Sequence, residues 1–271
     1  MVALVFYPLL VTIWDSFHRV DPLRPGQPFI GLTNYRTLFA DSDVKAAWSN
    51  TLWYVVLAVM LETLGGVAVA LLLNGVQRGR NWLLAAVILP WALPPVVNAV
   101  IWKWIYNPSF GVLNSVLLRL SAISEPQVWF NDRATALTLI TLVHVWRMLP
   151  LTAVIVLAAL QSIPADLYEA AAIDGASPWR TFRSITLPLL AGALTIALTQ
   201  STVFAFNLFD EAFVLTGSSL DTRPLLTQVY ISAFQNLNFS YGMALSVLLM
   251  IASLLVSLFY ILRITGGRSG D

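Results

Sequence analysis

Long apolar stretches recur along this chain and constrain its fold more than any other feature. Residues 51–73, for example, hold a single charged side chain, Glu62. A helix needs about 20 apolar residues to cross the hydrocarbon core of a bilayer. Charged residues make up only 11% of the 271, whereas a soluble domain carries about 25%. The sequence therefore predicts an integral membrane protein.

The fold class predicted is all-α, because an unpaired backbone cannot be exposed to lipid. We expect one polytopic transmembrane domain covering residues 1–271. The six predicted spans lie at approximately 1–17, 51–73, 82–106, 134–160, 187–209 and 242–264. The first is short for a crossing, so we expect the natural N-terminus to be longer. Prolines at 90, 94 and 95 should break the third span.

Several classes of chemistry are disfavoured by the residues that the chain lacks. There are no cysteines and only two histidines, His18 and His144, which are far apart. A disulfide, a thiolate site and a histidine metal centre are therefore not expected. The chain also lacks a GxxxxGK[ST] phosphate-binding loop. If ATP drives the protein, another subunit must bind it.

Residues 162–188, SIPADLYEAAAIDGASPWRTFRSITLP, form the one long punctuated amphipathic segment. Pro164 suits the first turn of a helix, and Gly175 suits a C-terminal stop that needs a positive φ. Ser177 before Pro178 is a second start signal. The segment is predicted to be two short helices that meet at Gly175.

The spacing of this segment resembles the EAA loop of ABC importer membrane subunits. The matching residues are Glu169, Ala170, Ala171, Asp174, Gly175, Ile185, Leu187 and Pro188. The surrounding residues are most similar to the carbohydrate branch, the maltose and glycerol-3-phosphate type permeases. Residues 29–39, 89–114 and 215–234 also resemble that branch.

The resemblance implies a multi-subunit importer with this chain as a transport subunit and not an enzyme. The EAA loop would dock into the ATP-hydrolysing subunit. The implied partners are a second permease subunit, two ATP-binding subunits that use ATP and Mg, and an extracytoplasmic solute-binding protein. The chain itself would bind no cofactor, metal or nucleic acid. It would lie in a bacterial or archaeal cytoplasmic membrane with both termini cytoplasmic.

Polar residues inside the predicted spans are candidates for the translocation pathway. Neutral amides and aromatic rings suit a sugar, whose hydroxyl groups both donate and accept hydrogen bonds. The pathway set predicted on this basis is Trp91, Asn98, Gln200, Asn207 and Asp210. The alternative for each is a hydrogen bond between helices. Lys103, beside two tryptophans, is better interpreted as an interfacial anchor.

Glu62, His144 and Arg147 leave a different function open. They could pair structurally, or they could form the proton relay of a stand-alone secondary transporter. An intramembrane transferase is a weaker alternative, because only Asp210 and Glu211 form an acidic pair. Within the importer interpretation, a permease for a non-sugar solute is also possible.

Overall fold

The computed structural model describes residues 2–22, 24–76 and 78–265, and these residues are mostly helical. Met1, which begins the first predicted span, lies outside the described residues. The helices in chain order are α1 (Val2–Asp15), α2 (Thr33–Ala40), α3 (Ser42–Gly75), α4 (Arg80–Ala92), α5 (Pro95–Ile105), α6 (Val112–Arg119), α7 (Arg133–Gln161), α8 (Ala165–Ile173), α9 (Pro178–Thr181), α10 (Leu187–Leu189), α11 (Ala191–Phe206), α12 (Asp210–Thr216), α13 (Leu225–Tyr230) and α14 (Phe239–Tyr260).

Four helical segments of the described chain are long and apolar enough to cross a membrane. They are Ser42–Gly75, Arg133–Gln161, Ala191–Thr216 and Phe239–Arg263. A fifth crossing is possible if α4 and α5 form one broken span, which bends by 96°. Helix α1 has 14 residues, fewer than a full crossing needs. The all-helical class is confirmed, and the described part of the chain accounts for four or five of the predicted spans by length and composition.

One boundary differs from the predicted spans, and one predicted break is located. Helix α3 begins at Ser42 rather than near residue 51, because Asp41 caps its N-terminus by accepting a hydrogen bond from the backbone N–H of Asp43. Residues 42–50, which precede the predicted span, thus form the first turns of a long helix. The break predicted in the third span falls at Leu93 and Pro94, where Pro94 cannot donate a helical hydrogen bond.

Helices α3 and α7 form the most extensive pair in the bundle. Two glycines of α3 allow this approach. A Cβ on Gly65 would lie 2.5 Å from Cδ1 of Leu149, and a Cβ on Gly66 would lie 2.5 Å from Cγ2 of Thr152. The two helices run parallel, since the N-terminal part of α3 also contacts Arg133 at the start of α7. Small residues at such a crossing bring two backbones together in a membrane.

Residues 162–188 follow the C-terminal end of α7 and so lie at one end of the bundle. The loop between α12 and α13 contacts the N-terminal part of α3 at the other end, which we call the opposite end. The ends are thus joined by α3 and α7, the two helices that pack most extensively.

Candidate functional site

Residues 162–188 fold into the two short helices that the sequence predicts, and local hydrogen bonds explain the turn. Gly175 has φ of 69°. Its N–H donates to the carbonyl of Ala172 at 3.1 Å, and the N–H of Ala176 donates to that of Ala171 at 2.9 Å. This pair of bonds is the Schellman arrangement that ends a helix. The Ser177 hydroxyl then accepts from the N–H of Arg180 at the start of α9.

Helix α8 and the residues that follow α9 enclose a small cleft, and a hydrogen bond joins them. The Tyr168 hydroxyl of α8 lies 3.2 Å from the hydroxyl of Thr186, which follows α9. The cleft has a volume of about 300 Å³, and Ala170, Asp174 and Ile185 are among its lining residues. Glu169 is exposed on the same short helix. The segment therefore presents a carboxylate, a shallow alanine surface and the exposed ring of Trp179 on a folded element.

Charged side chains meet deep inside the bundle, where they link α3, α7 and α12. His144 lies between two carboxylates, with Nδ1 at 3.3 Å from Oε1 of Glu211 and Nε2 at 3.5 Å from Oε1 of Glu62. Arg147 donates to Oε1 of Glu211 from Nε at 3.2 Å and from Nη2 at 3.1 Å. The Ser201 hydroxyl donates to Oε2 of Glu62 at 2.6 Å. We call Glu62, His144, Arg147 and Glu211 the buried charged cluster.

The members of the buried charged cluster differ in exposure. The side chains of Glu62, His144 and Glu211 are 0%, 1% and 2% exposed, and that of Arg147 is 12% exposed. Charges in a low-dielectric interior persist only when they are paired and hydrogen-bonded. The cluster is therefore a paired unit that holds three segments together, and Arg147 is the member with the greatest access to its surroundings.

The sequence predicted part of this cluster and missed its central carboxylate. The sequence predicts a pairing among Glu62, His144 and Arg147, but Arg147 bonds to Glu211 rather than to Glu62. Glu211 is separated from His144 by 67 positions. The available signal was the Asp210–Glu211 doublet at the end of a predicted span, which could have been matched with the two cations of α7.

Helix α12 is also held at its other end by Lys103. The Nζ of Lys103 donates to the carbonyl of Val214 at 2.9 Å, one of the last carbonyls of α12, which have no partner within the helix. Lys103 thus caps α12 from its position near the end of α5, and its role as an interfacial anchor stays a prediction. Together, Glu211 and Lys103 attach this short helix to α7 and α5.

The five predicted pathway residues lie in different settings. Trp91 is exposed on α4, Gln200 is half-buried on α11 and Asn207 is exposed at the end of α11. Asn98 is buried, and its amide nitrogen donates to the carbonyl of Val143 at 3.3 Å. Asp210 is half-buried at the start of α12, next to the buried charged cluster. Their role in a pathway stays a prediction.

A second polar arrangement at the opposite end fixes the loop between α12 and α13. Asn50 is fully buried, and its amide nitrogen donates to the carbonyls of Leu220 at 2.9 Å and Arg223 at 3.0 Å. Its amide oxygen accepts from Nη2 of Arg133 at 2.7 Å. The Tyr54 hydroxyl donates to the carbonyl of Thr222 at 2.7 Å. We call Asn50, Tyr54 and Arg133 the loop clamp.

Arg133 of the loop clamp follows the N-cap of α7. The Asp132 carboxylate accepts from the backbone N–H and from the hydroxyl of Thr135, both at 2.8 Å. These hydrogen bonds hold the pKa of Asp132 below its usual range. The carboxylate therefore stays ionised as a cap at neutral pH, and it fixes the helix start from which Arg133 reaches Asn50.

Asn50→Ala is expected to loosen this loop, because the partly buried carbonyls of Leu220 and Arg223 and one nitrogen of Arg133 lose their hydrogen bonds to Asn50. We expect a loss of about 2–3 kcal/mol in unfolding free energy and faster hydrogen exchange at residues 218–223. The measurements are thermal unfolding in detergent and hydrogen exchange followed by mass spectrometry. Ser49→Ala is the matched control, since Ser49 accepts from the same Arg133 but is exposed. Equal exchange in Asn50→Ala and the wild type would contradict the clamp.

The described chain is a bundle of apolar helices with a broken span, paired charges deep inside it and a folded helix pair at one end. This arrangement is typical of a membrane transport protein. The chain belongs to the family of binding-protein-dependent transport system inner membrane components, whose model matches residues 27–268. It is therefore a transport subunit embedded in the membrane and not itself an enzyme.

Curated relatives cover nearly the whole chain. The trehalose/maltose transport system permease protein MalF of Thermococcus litoralis is 37% identical over 265 residues, which span 96% of this chain and 88% of the relative. The trehalose transport system permease protein SugA of Mycobacterium tuberculosis is 33% identical over 92% of this chain and 80% of the relative. The sulfoquinovosyl glycerol transport system permease protein SmoG of Agrobacterium fabrum is 34% identical over 95% and 84%.

A solved structure shares the fold. A chain of a bacterial ABC transporter involved in the import of the acidic polysaccharide alginate superposes with a TM-score of 0.83. The match covers 97% of this chain and 90% of that chain, with 22% sequence identity. The ABC importer membrane-subunit fold expected from the sequence is thus confirmed.

Proposed function

We propose that this chain forms half of the translocation pathway of an importer for a sugar or sugar-like solute. We further propose that residues 162–188 couple it to an ATP-hydrolysing subunit. The observation that carries the coupling role is the folded helix pair at one end of the bundle. A segment that transmits motion must be rigid if it is to shift the membrane spans from one conformation to another. The Schellman turn at Gly175 and the contact between Tyr168 and Thr186 supply that stiffness.

The complex would contain a second permease subunit, two ATP-binding subunits and an extracytoplasmic solute-binding protein. ATP and Mg would be bound by the ATP-binding subunits. Residues 162–188 would face the cytoplasm, which puts the termini there and the loop clamp on the outer side. In this arrangement, ATP-driven closure of the partner dimer moves residues 162–188, and α3 and α7 transmit the motion.

The sugar class is supported by the names of the relatives and by the residues proposed for the pathway. Two of the relatives described above are named for trehalose or maltose and one for sulfoquinovosyl glycerol. The candidate pathway set contains amides, a tryptophan and Asp210, which suit hydroxyl groups and the apolar face of a sugar ring. A non-sugar solute remains the alternative for the same importer.

The experiment is to tag the chain, extract native membranes in mild detergent and identify the co-purifying proteins by mass spectrometry. The recovered complex is then placed in proteoliposomes with its binding protein and supplied with radiolabelled trehalose and maltose. We expect an ATP-binding subunit and a second permease in the preparation, and uptake only when ATP is present with the ATP-binding subunits.

Two results would contradict the proposal. Recovery of the chain alone, together with uptake that collapses with the proton gradient, would support the secondary transporter that Glu62, His144 and Arg147 left open. ATP-dependent uptake of a non-sugar solute, with no uptake of either disaccharide, would keep the importer and overturn the sugar class.

A further inference from the structure

A long apolar groove runs along the exposed face of α3, away from the buried charged cluster. Two adjoining cavities form it, with volumes of about 720 Å³ and about 470 Å³. Both cavities are lined by Leu52, Val56 and Met60. The second also has walls from α11 and α14, which include Phe206 and Tyr260. The cavities therefore form one continuous groove along residues 45–64, which we call the α3 groove.

The α3 groove has about the length of one leaflet of a bilayer. Its mostly apolar part extends along the helix from Leu52 to Leu64, a rise of about 18 Å at 1.5 Å per residue. One leaflet of the hydrocarbon core is about 15 Å thick, which is half of the whole core. An acyl chain that lies along α3 would thus contact the groove over most of its length.

The end of the α3 groove that is nearer the opposite end of the bundle is polar. Lys45 and Ser49 line it, and Nη2 of Arg133 lies 3.0 Å from Oγ of Ser49. Trp48 and Trp53 line the same part, and tryptophan is enriched where a membrane meets water. The two cations therefore lie at the level of the lipid headgroups, while the apolar part of the groove lies at the level of the acyl chains.

The carboxylates next to Lys45 on α3 have other partners. Asp41 accepts a hydrogen bond from the hydroxyl of Tyr241, and Asp43 lies 3.9 Å from Nη1 of Arg223. Within the described residues, Lys45 forms no ion pair, and its Nζ donates to one backbone carbonyl at 3.5 Å. The Lys45 side chain is exposed, so its ammonium group is available to an anion at the end of the groove.

We propose that the α3 groove binds an anionic phospholipid from the leaflet at the opposite end of the bundle. The phosphate accepts hydrogen bonds from the ammonium group of Lys45 and the guanidinium group of Arg133, and such bonds between charged groups are strong. One acyl chain lies along residues 52–64. This site is independent of the transported solute and goes beyond the proposed function.

The charges at the polar end favour a lipid over a helix of another subunit. A helix could cover the apolar part of the groove equally well, but it would leave Lys45 and Arg133 without an anion unless it carried a carboxylate at that level. An anionic phospholipid supplies both the acyl chain and the negative charge, and cations near a membrane surface attract such lipids.

The test uses the assembled complex in phosphatidylcholine nanodiscs that contain a small fraction of a photoactivatable lipid. The probe carries a diazirine in its acyl chain and has either a phosphatidylglycerol or a phosphatidylcholine headgroup. Mass spectrometry after irradiation identifies the labelled peptides. We expect the phosphatidylglycerol probe to label residues 52–64 at least about threefold more than the phosphatidylcholine probe, the scale of attraction between one cation and anionic lipid.

Four variants test the assigned contacts. Lys45→Gln should lower the preference for phosphatidylglycerol, whereas Lys45→Arg should retain it because the charge is kept. Val56→Trp should reduce labelling by both probes, since Val56 is exposed in the middle of the groove and the larger ring would fill it. Arg119→Gln is the matched control, because it removes an exposed cation of α6 outside the groove and should leave the labelling unchanged.

Three results would overturn the lipid site, and none of them bears on the solute or on the coupling role of residues 162–188. Equal labelling of the wild type by the two probes would indicate ordinary contact with surrounding lipid. Absence of labelling by both probes would indicate that another subunit covers the groove. The same preference in Lys45→Gln as in the wild type would show that Lys45 does not bind the headgroup.

Discussion

Gly175→Pro is expected to abolish ATP-driven uptake while the chain still inserts into the membrane and assembles. Proline fixes φ near −65° and has no N–H, whereas Gly175 has φ of 69° and donates to Ala172. The Schellman turn cannot form, so α8 and α9 lose their relative orientation. Uptake by proteoliposomes and ATP hydrolysis by the same complex are the measurements. We expect uptake to fall below about a tenth of the wild-type rate while hydrolysis persists. The reason is that a flexible segment no longer couples hydrolysis to the conformation of the spans.

Two further substitutions, Gly175→Asn and Glu169→Lys, separate the effect of the segment's shape from the effect of its charge. Gly175→Asn should retain most uptake, because asparagine tolerates the left-handed conformation and no atom lies within 4 Å of the added Cβ. Glu169→Lys leaves the turn intact but reverses an exposed charge, and it too should uncouple hydrolysis from uptake. Glu125→Lys is the control for a charge change away from this segment. Normal uptake in Gly175→Pro or in Glu169→Lys would contradict the coupling role.

Glu211→Leu is expected to destabilise the protein by about 3–5 kcal/mol, the range found when one partner of a buried ion pair is removed. The substitution leaves Arg147 without its carboxylate and His144 with Glu62 alone. It also detaches the start of α12 from α7. The measurement is the thermal unfolding midpoint and the unfolding half-life of the complex in detergent, compared with the wild type.

The double variant Glu211→Leu/Arg147→Met shows whether the loss comes from the unpaired charge. We expect it to recover part of the lost stability, because an apolar pair replaces an ion pair and no uncompensated guanidinium remains. Asp210→Asn is the matched single change, since Asp210 is adjacent and half-buried and forms no ion pair within the described structure. If the double variant lost as much stability as the single variants Glu211→Leu and Arg147→Met lose together, Glu211 and Arg147 would act independently.

Local chemistry explains why residues 162–188 could be predicted closely. Pro164, Gly175 and the Ser177–Pro178 pair each act through the φ angle or hydrogen bonds of their own few residues, so their effect does not depend on the rest of the chain. The observed helices, Ala165–Ile173 and the one starting at Pro178, follow those signals. Membrane residence and helical class are equally local, because lipid requires each apolar span to satisfy its own backbone.

The buried charged cluster and the loop clamp depended on tertiary structure. Glu211 meets Arg147 across 64 positions, and Asn50 meets Leu220 across 170. Such contacts depend on how helices that are far apart in sequence are aligned against each other. Hydrophobic periodicity does not determine that alignment, because the lipid-facing and protein-facing surfaces of a membrane helix are equally apolar. The sequence by itself thus determined a helical membrane protein with a two-helix segment at residues 162–188. The packing of α3 on α7 at Gly65 and Gly66, and of α12 between α5 and α7, decided which polar side chains meet inside it.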